Sequence, residues 1–142
     1  MECEFPTVNE TSAEVKEILH SVKTIAVVGL SPDASKASHF VPQYMQEAGY
    51  KIIPVYPKED EILGEKVYRS LAEIPGKVDM VNVFRKPDAV PAILEAVKAR
   101  GDVDVLWLQK GIVNNAAAEA AKEAGLKVVQ NKCLMVEHKS MA

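Results

Sequence analysis

The stretch "TIAVVGLSPDASKASHF", residues 24–40, runs from an apolar segment into a glycine and then into small polar residues. Its first part is a short, continuous, largely β-branched run, the pattern of a strand buried on both faces in a parallel sheet. A strand, a glycine turn and then a helix is how a nucleotide-binding α/β fold opens. The dinucleotide fingerprint G-x-G-x-x-G/A places three small residues there, and the corresponding positions read Gly29, Ser31 and Ala34. Serine at the middle position crowds a pyrophosphate, although its hydroxyl and backbone N–H can themselves donate to phosphate. An acidic residue roughly 20 positions further on would bind the ribose of NAD. The second strand instead ends in Val55-Tyr56-Pro57, and Glu59 and Asp60 come too late. NAD is therefore disfavoured, while a phosphate at the second helix N-terminus stays chemically reasonable. The alternative is a turn that needs Gly29 only for its dihedral angle.

Outward from this stretch the chain alternates strands and helices. Thr11 and Glu14 form a capping-box pattern, and Val15, Ile18, Leu19 and Val22 follow at helical spacing. Ser38 is a candidate cap for the second helix, running to Glu47 and ending at Gly49, with Pro42 in its first turn. "YKIIPVYP" reads as the second strand, with Pro54 marking an edge or an irregularity. A short strand near Val67 and a short helix opened by Ser70 with Glu73 come next. "KVDMVNVF" is another buried strand, and Pro87 and Asp88 open a helix to about Arg100. "VDVLWLQ", a helix capped by Asn114 or Asn115, and "LKVVQN" complete the series. The expectation is an α/β fold: a single doubly wound, mostly parallel, Rossmann-like sheet with helices on both faces. Residues 1–142 are expected to form one domain, with 1–10 as a loosely ordered N-terminal extension.

Composition narrows the classes of function. The formal net charge of −3 argues against nonspecific nucleic-acid binding. No apolar run reaches the roughly 18–20 residues of a membrane span, and "MECEFPTVNE" lacks the features of a secretory signal. Cys3 and Cys133 make neither a disulfide framework nor a zinc pattern. His20, His39 and His138 have no ligand spacing and are expected at the surface. A cytoplasmic protein with no metal, no nucleic-acid partner and no membrane partner is the simplest reading.

In doubly wound sheets ligands bind beyond the carboxyl ends of the strands. The residues expected there are Gly29-Leu30-Ser31, Tyr56-Pro57, Phe84-Arg85, Gln109-Lys110-Gly111 and Asn131-Lys132-Cys133. Lys36, just before the second helix, can reach a phosphate. Arg85 interrupts an apolar run at a strand's end and offers a planar fork for phosphate, or else a salt bridge to a loop. The Gly111 turn permits close backbone approach. Trp107 reads as core. Cys133 is a candidate redox-sensitive thiol or an ordinary half-buried cysteine. No paired carboxylates, Ser/His/Asp set or activated nucleophile can be read, so no catalytic residue is expected.

With "VVGLS", "GYKIIPVYP", "ILGEKVYRSLAEIP", "VDMVNVFR", "LWLQKGIVNNAAAEAAKEAGLKVVQNKC" and "VEH" in this order, the chain resembles the stand-alone CoA-binding proteins of bacteria and archaea. The same fold forms the CoA-binding domain of succinyl-CoA synthetase α-subunits and ADP-forming acyl-CoA synthetases. The resemblance implies that Gly29, Leu30, Ser31 and Lys36 form the phosphate-side loop. It implies that Val83, Phe84 and Arg85 line the nucleotide, and that Gln109, Lys110 and Gly111 lie beneath the pantetheine. Tyr56-Pro57 takes the place of the family's frequent Asn-Pro, a departure at the tyrosine, and Asn131 and Cys133 match its final turn. The implied ligand is CoA or an acyl-CoA, bound without catalysis, since the chain's 142 residues hold none of the synthetases' other domains. An NAD(P)-binding oxidoreductase-type domain, and a CoA- or redox-sensing partner subunit of an acyl-CoA synthetase, are the alternatives. Homo-oligomerisation is compatible with each.

Overall fold

A computed structural model describes residues 6–141. The capping box forms as its sequence requires: the Glu14 N–H donates to Thr11 Oγ1 (3.2 Å) and the Thr11 N–H to Glu14 Oε1 (2.8 Å). Helix α1 (Ser12–Ser21) follows and buries Val15, Ile18 and Leu19. Then come β1 (Thr24–Val28), α2 (Ala37–Glu47) and β2 (Lys51–Val55). A small hairpin of β3 (Glu61–Ile62) and β4 (Glu65–Lys66) leads to β5 (Met80–Val83) and α3 (Val90–Arg100). The chain continues through β6 (Val105–Leu108), α4 (Asn115–Glu123), β7 (Lys127–Val129) and α5 (Leu134–Lys139).

The five main strands are parallel in the order β2-β1-β5-β6-β7. Because alternate residues of a strand face opposite ways, the buried runs serve two cores. Ala26, Val28, Val81, Val83, Leu106 and Leu108 meet α3 and α4 on one face. Ile25, Val27, Met80, Val105 and Trp107 meet α1, α2 and α5 on the other. The Rossmann-like α/β expectation is met. The chain reverses its direction of travel across the sheet between β1 and β5, and such a switch point opens a crevice at the strands' carboxyl ends.

Some local expectations are corrected, and two open alternatives, at Pro54 and at the α4 cap, are resolved. α2 begins at Ala37 with Lys36 at the cap position, so Ser38 is inside the helix and Pro42 lies beyond the first turn. Pro42 has no N–H for the Ser38 carbonyl, and that carbonyl accepts the Ser31 N–H instead (3.1 Å). The Ser70 start gives one 3-10 turn, Leu71–Glu73, without a side-chain cap, and the Glu73 carboxylate accepts from the Arg69 N–H rather than from that of Ser70. The strand expected near Val67 reduces to β4 and a single bridge between Val55 and Tyr68. Pro54 is in β2, an edge strand of the main sheet. Asn114, rather than Asn115, caps α4 by accepting the Ala117 N–H.

Residues 7–10 fall in the stretch expected to be loosely ordered, yet they are tied down. The Glu10 N–H donates to the Val128 carbonyl, the Val128 N–H returns a bond to Glu10 Oε2, and Lys122 pairs with the same oxygen at 3.2 Å. Asn9 exchanges bonds with the Gln130 backbone. These contacts occupy backbone groups along the β7 edge, which would otherwise offer an unpaired ladder. Residues 1–5, including Cys3, lie outside the described residues.

Candidate functional site

Segments that follow β1, β5, β6 and β7 surround a cleft of about 820 Å³. Its walls come from the start of α2 (Ala37, Ser38, Phe40, Val41), the segment after β5 (Phe84, Arg85, Lys86, Pro87) and the turn after β6 (Gln109, Lys110, Gly111, Ile112). Cys133 and Val136 close the far side. Phe40 and Val136, the most exposed large apolar side chains among the described residues at 40% and 54%, both belong to this cleft. Arg85, Lys86 and Lys110 add three exposed cations to an otherwise apolar wall. No Asp, Glu or His lines it, and none of the three cations has an ion pair among the described residues. The backbone N–H groups of Ala37 and Ser38 open α2 beside Arg85 and have no helical acceptor, as the first turn of any helix requires. The surface is therefore suited to a ligand that combines negative charge with an apolar body.

Six of the expected residues line this cleft: Phe84, Arg85, Gln109, Lys110, Gly111 and Cys133. Eight do not. Leu30 and Val83 are wholly buried in the two cores. Ser31 is buried, and its groups are committed locally: its N–H to the Ser38 carbonyl, its hydroxyl to the Asp33 N–H, and its carbonyl to the His39 Nδ1–H at 2.7 Å. Lys36 is exposed beside Asp33, whose carboxyl the Ser35 hydroxyl and N–H hold below the usual aspartate range. An anion thus faces Lys36 already. The Tyr56 carbonyl accepts from Arg69, whose Nη1 also spans the Lys58 and Glu59 carbonyls, and Pro57 stands exposed on the same loop. Asn131 Oδ1 accepts the Gly111 N–H at 2.7 Å, which braces the turn after β6 from behind.

Gly29 has φ +90°, and a Cβ there would lie 2.7 Å from the Phe84 carbonyl oxygen and 3.1 Å from Arg85 Cδ. Its small size lets the β1 turn pass under β5 and leaves room for the Arg85 stem. Gly111, at φ +91°, meets nothing within 4 Å on that side, so its conformation alone calls for glycine.

Sequence reasoning missed Ala37, Ser38, Phe40, Val41, Lys86, Pro87, Ile112 and Val136. Lys86 stood next to Arg85 and was readable. Val136 is not readable, because α5 is short and has no side-chain cap to mark its start. His39 and His138 are half-buried rather than on the surface, and the latter accepts or donates at Nδ1 with the Tyr44 hydroxyl at 2.8 Å. Trp107 is core, with its Nε1–H on the Lys132 carbonyl. No group of three or more His, Cys, Asp or Glu suited to a metal occurs among the described residues. No helix there is long and apolar enough to cross a membrane.

Comparison with known proteins adds sequence and fold relatives. A family model described as a CoA binding domain matches residues 23–139. The uncharacterized protein YneT of Bacillus subtilis is 47% identical over 130 residues, which cover 92% of this chain and 96% of that one. The ADP-forming acetate–CoA ligase I subunit alpha of Pyrococcus furiosus is 32% identical over 128 residues, 80% of this chain but only 28% of the subunit. Among solved structures, a hypothetical protein from Pyrococcus horikoshii superposes with a TM-score of 0.90 at 38% identity, covering 99% of each chain. The dinucleotide-forming acetyl-coenzyme A synthetase 1 of Ca. Korarchaeum cryptofilum, in complex with phosphate and ADP, gives a TM-score of 0.66 at 27% identity over 77% of this chain and 26% of its own.

Proposed function

The chain belongs to the CoA binding domain family, and from that membership we propose that its cleft binds coenzyme A or an acyl-CoA reversibly, without chemistry of its own. One observation carries the reading. Three cations with no acidic partner among the described residues stand over an apolar cleft at the sheet's switch point, in a protein of net charge −3. A pyrophosphate and a 3′-phosphate are the matching charges, with Arg85 supplying a bidentate fork and the Ala37 and Ser38 N–H groups adding the helix-terminus field. Phe84 and Ile112 offer apolar contact to the rest of the ligand.

The noncatalytic part of the proposal rests on the wall's chemistry. An activated nucleophile needs a base within hydrogen-bond reach, and the cleft contains Cys133 with neither a histidine nor a carboxylate beside it in the lining. The oxidoreductase alternative finds less support, since no acid stands at the end of β2 to take the NAD ribose, and Asp60, further along the loop, pairs with Arg69 at 3.8 Å.

The test is a thermal melt with each ligand. A ligand that binds only the folded state stabilises it by RT ln(1 + [L]/Kd), about 2.7 kcal/mol at a hundredfold excess over Kd. CoA is expected to raise Tm clearly, and NAD and NADP at equal concentration to leave it unchanged. A larger shift with NAD would overturn the assignment.

A redox-sensing role is the second reading, favoured by the position of Cys133 in the cleft wall. Attack of its thiolate on CoA disulfide would form one mixed disulfide and release one CoA thiol. Intact-mass measurement is expected to show this adduct on wild type and not on Cys133→Ser, which should keep reduced-CoA affinity within about twofold. An adduct that persists in Cys133→Ser would move the reaction to Cys3.

A further inference from the structure

Asn82 is the only polar side chain of β5, wholly buried in register between Val27 and Trp107. Its Nδ2 donates to the Trp107 carbonyl (3.3 Å) and toward Gln109 Oε1 (3.4 Å), while its Oδ1 has no partner. A buried amide oxygen left unbonded costs free energy that valine in this apolar layer would not. What the asparagine supplies is an orientation. Gln109 Oε1 receives two N–H groups, from Asn82 Nδ2 and from the Leu134 backbone at 3.4 Å. The Trp107 carbonyl fixes which way Asn82 faces, and the two donors together fix Gln109, because a flipped amide would set its NH₂ against both of them. Gln109 is only 4% exposed, yet it lines the cleft, and its Nε2 has no protein partner among the described residues. We infer that Asn82 is a positioning residue that turns the Gln109 amide so that Nε2 faces the cleft as a hydrogen-bond donor for a ligand carbonyl, of the amide or thioester kind.

This rests on the proposed function, with the ligand's amide-containing arm lying over the turn that Gln109 opens. Calorimetric titration should compare CoA with 3′-phosphoadenosine 5′-diphosphate, its nucleotide half without that arm. Wild type is expected to bind both. Gln109→Leu and Gln109→Glu should each weaken CoA by about 3- to 10-fold, the effect of one hydrogen bond, and leave the nucleotide within twofold. Asn82→Val should match Gln109→Leu on CoA while its Tm stays level or rises, and the double variant should lose nothing further. A merely structural asparagine would lower Tm and affect both ligands alike, and that result overturns the inference. So does unchanged CoA affinity in either Gln109 variant, which are informative even where Asn82→Val does not fold. Failure of wild type to bind either ligand would instead overturn the proposed function itself.

Discussion

Gly29→Ala is expected to lower the melting temperature by roughly 6–15 °C. Two costs add. A non-glycine residue at φ +90° is strained by about 1–2 kcal/mol. The new methyl would also sit 2.7 Å from the Phe84 carbonyl oxygen, and overpacking of this kind costs about 1–3 kcal/mol. The opposing atom is backbone of the segment leaving β5, so it cannot rotate away as a side-chain tip would. Gly101→Ala is the control: its φ is +77°, but nothing lies within 4 Å of its Cβ position, so only the conformational cost of about 1–2 kcal/mol applies. Thermal and urea melts of both variants against wild type make the comparison. Equal destabilisation by the two would mean that the Phe84 contact relaxes freely. The variant should also bind anions less well, since the methyl displaces the Arg85 stem, 3.1 Å away.

Arg85→Ala is expected to weaken CoA about 10- to 150-fold with little change in Tm. Charge-assisted hydrogen bonds contribute about 1.5–3 kcal/mol each, and Arg85 has no structural ion pair to lose among the described residues. Arg85→Lys should recover only part of the affinity, because lysine keeps the charge and loses the fork. Added salt should weaken wild-type binding more than that of Arg85→Ala, since screening acts on the attraction the substitution removes. Titrating the three proteins at two salt concentrations decides it. If Arg85→Ala binds as tightly as wild type, the phosphates sit elsewhere on the rim, at Lys86 and Lys110.

The fold was legible because its cues are local and mutually consistent. Buried β-branched runs, the Thr11–Glu14 capping box and Pro87 at a helix start each act over a few residues. α5 escaped because "LMVEHK" is short and its helical register is set by packing on α2 and α1 rather than by caps or periodicity. The lining of the cleft is legible in outline: knowing which residues end each strand identifies Arg85 and Gln109. It is not legible in detail, because a residue's position after a strand does not say where its polar groups go. Ser31 illustrates this, since its N–H is consumed by the Ser38 carbonyl that Pro42 leaves open, and its hydroxyl oxygen accepts the Asp33 N–H within the turn. The orphaned oxygen of Asn82 illustrates it too, since only the packed structure shows that an asparagine in an apolar strand lacks a partner.

The most direct test of the account is an amide NMR titration of the labelled protein with CoA, read residue by residue. The cleft reading predicts saturable shifts at Ala37, Ser38, Arg85, Lys86, Lys110, Gly111 and Cys133. It also predicts little change around the separate groove lined by His20, Lys23, Gly49, Tyr50 and Lys51. Shifts centred on that second groove, or a spectrum unmoved by CoA, would contradict it.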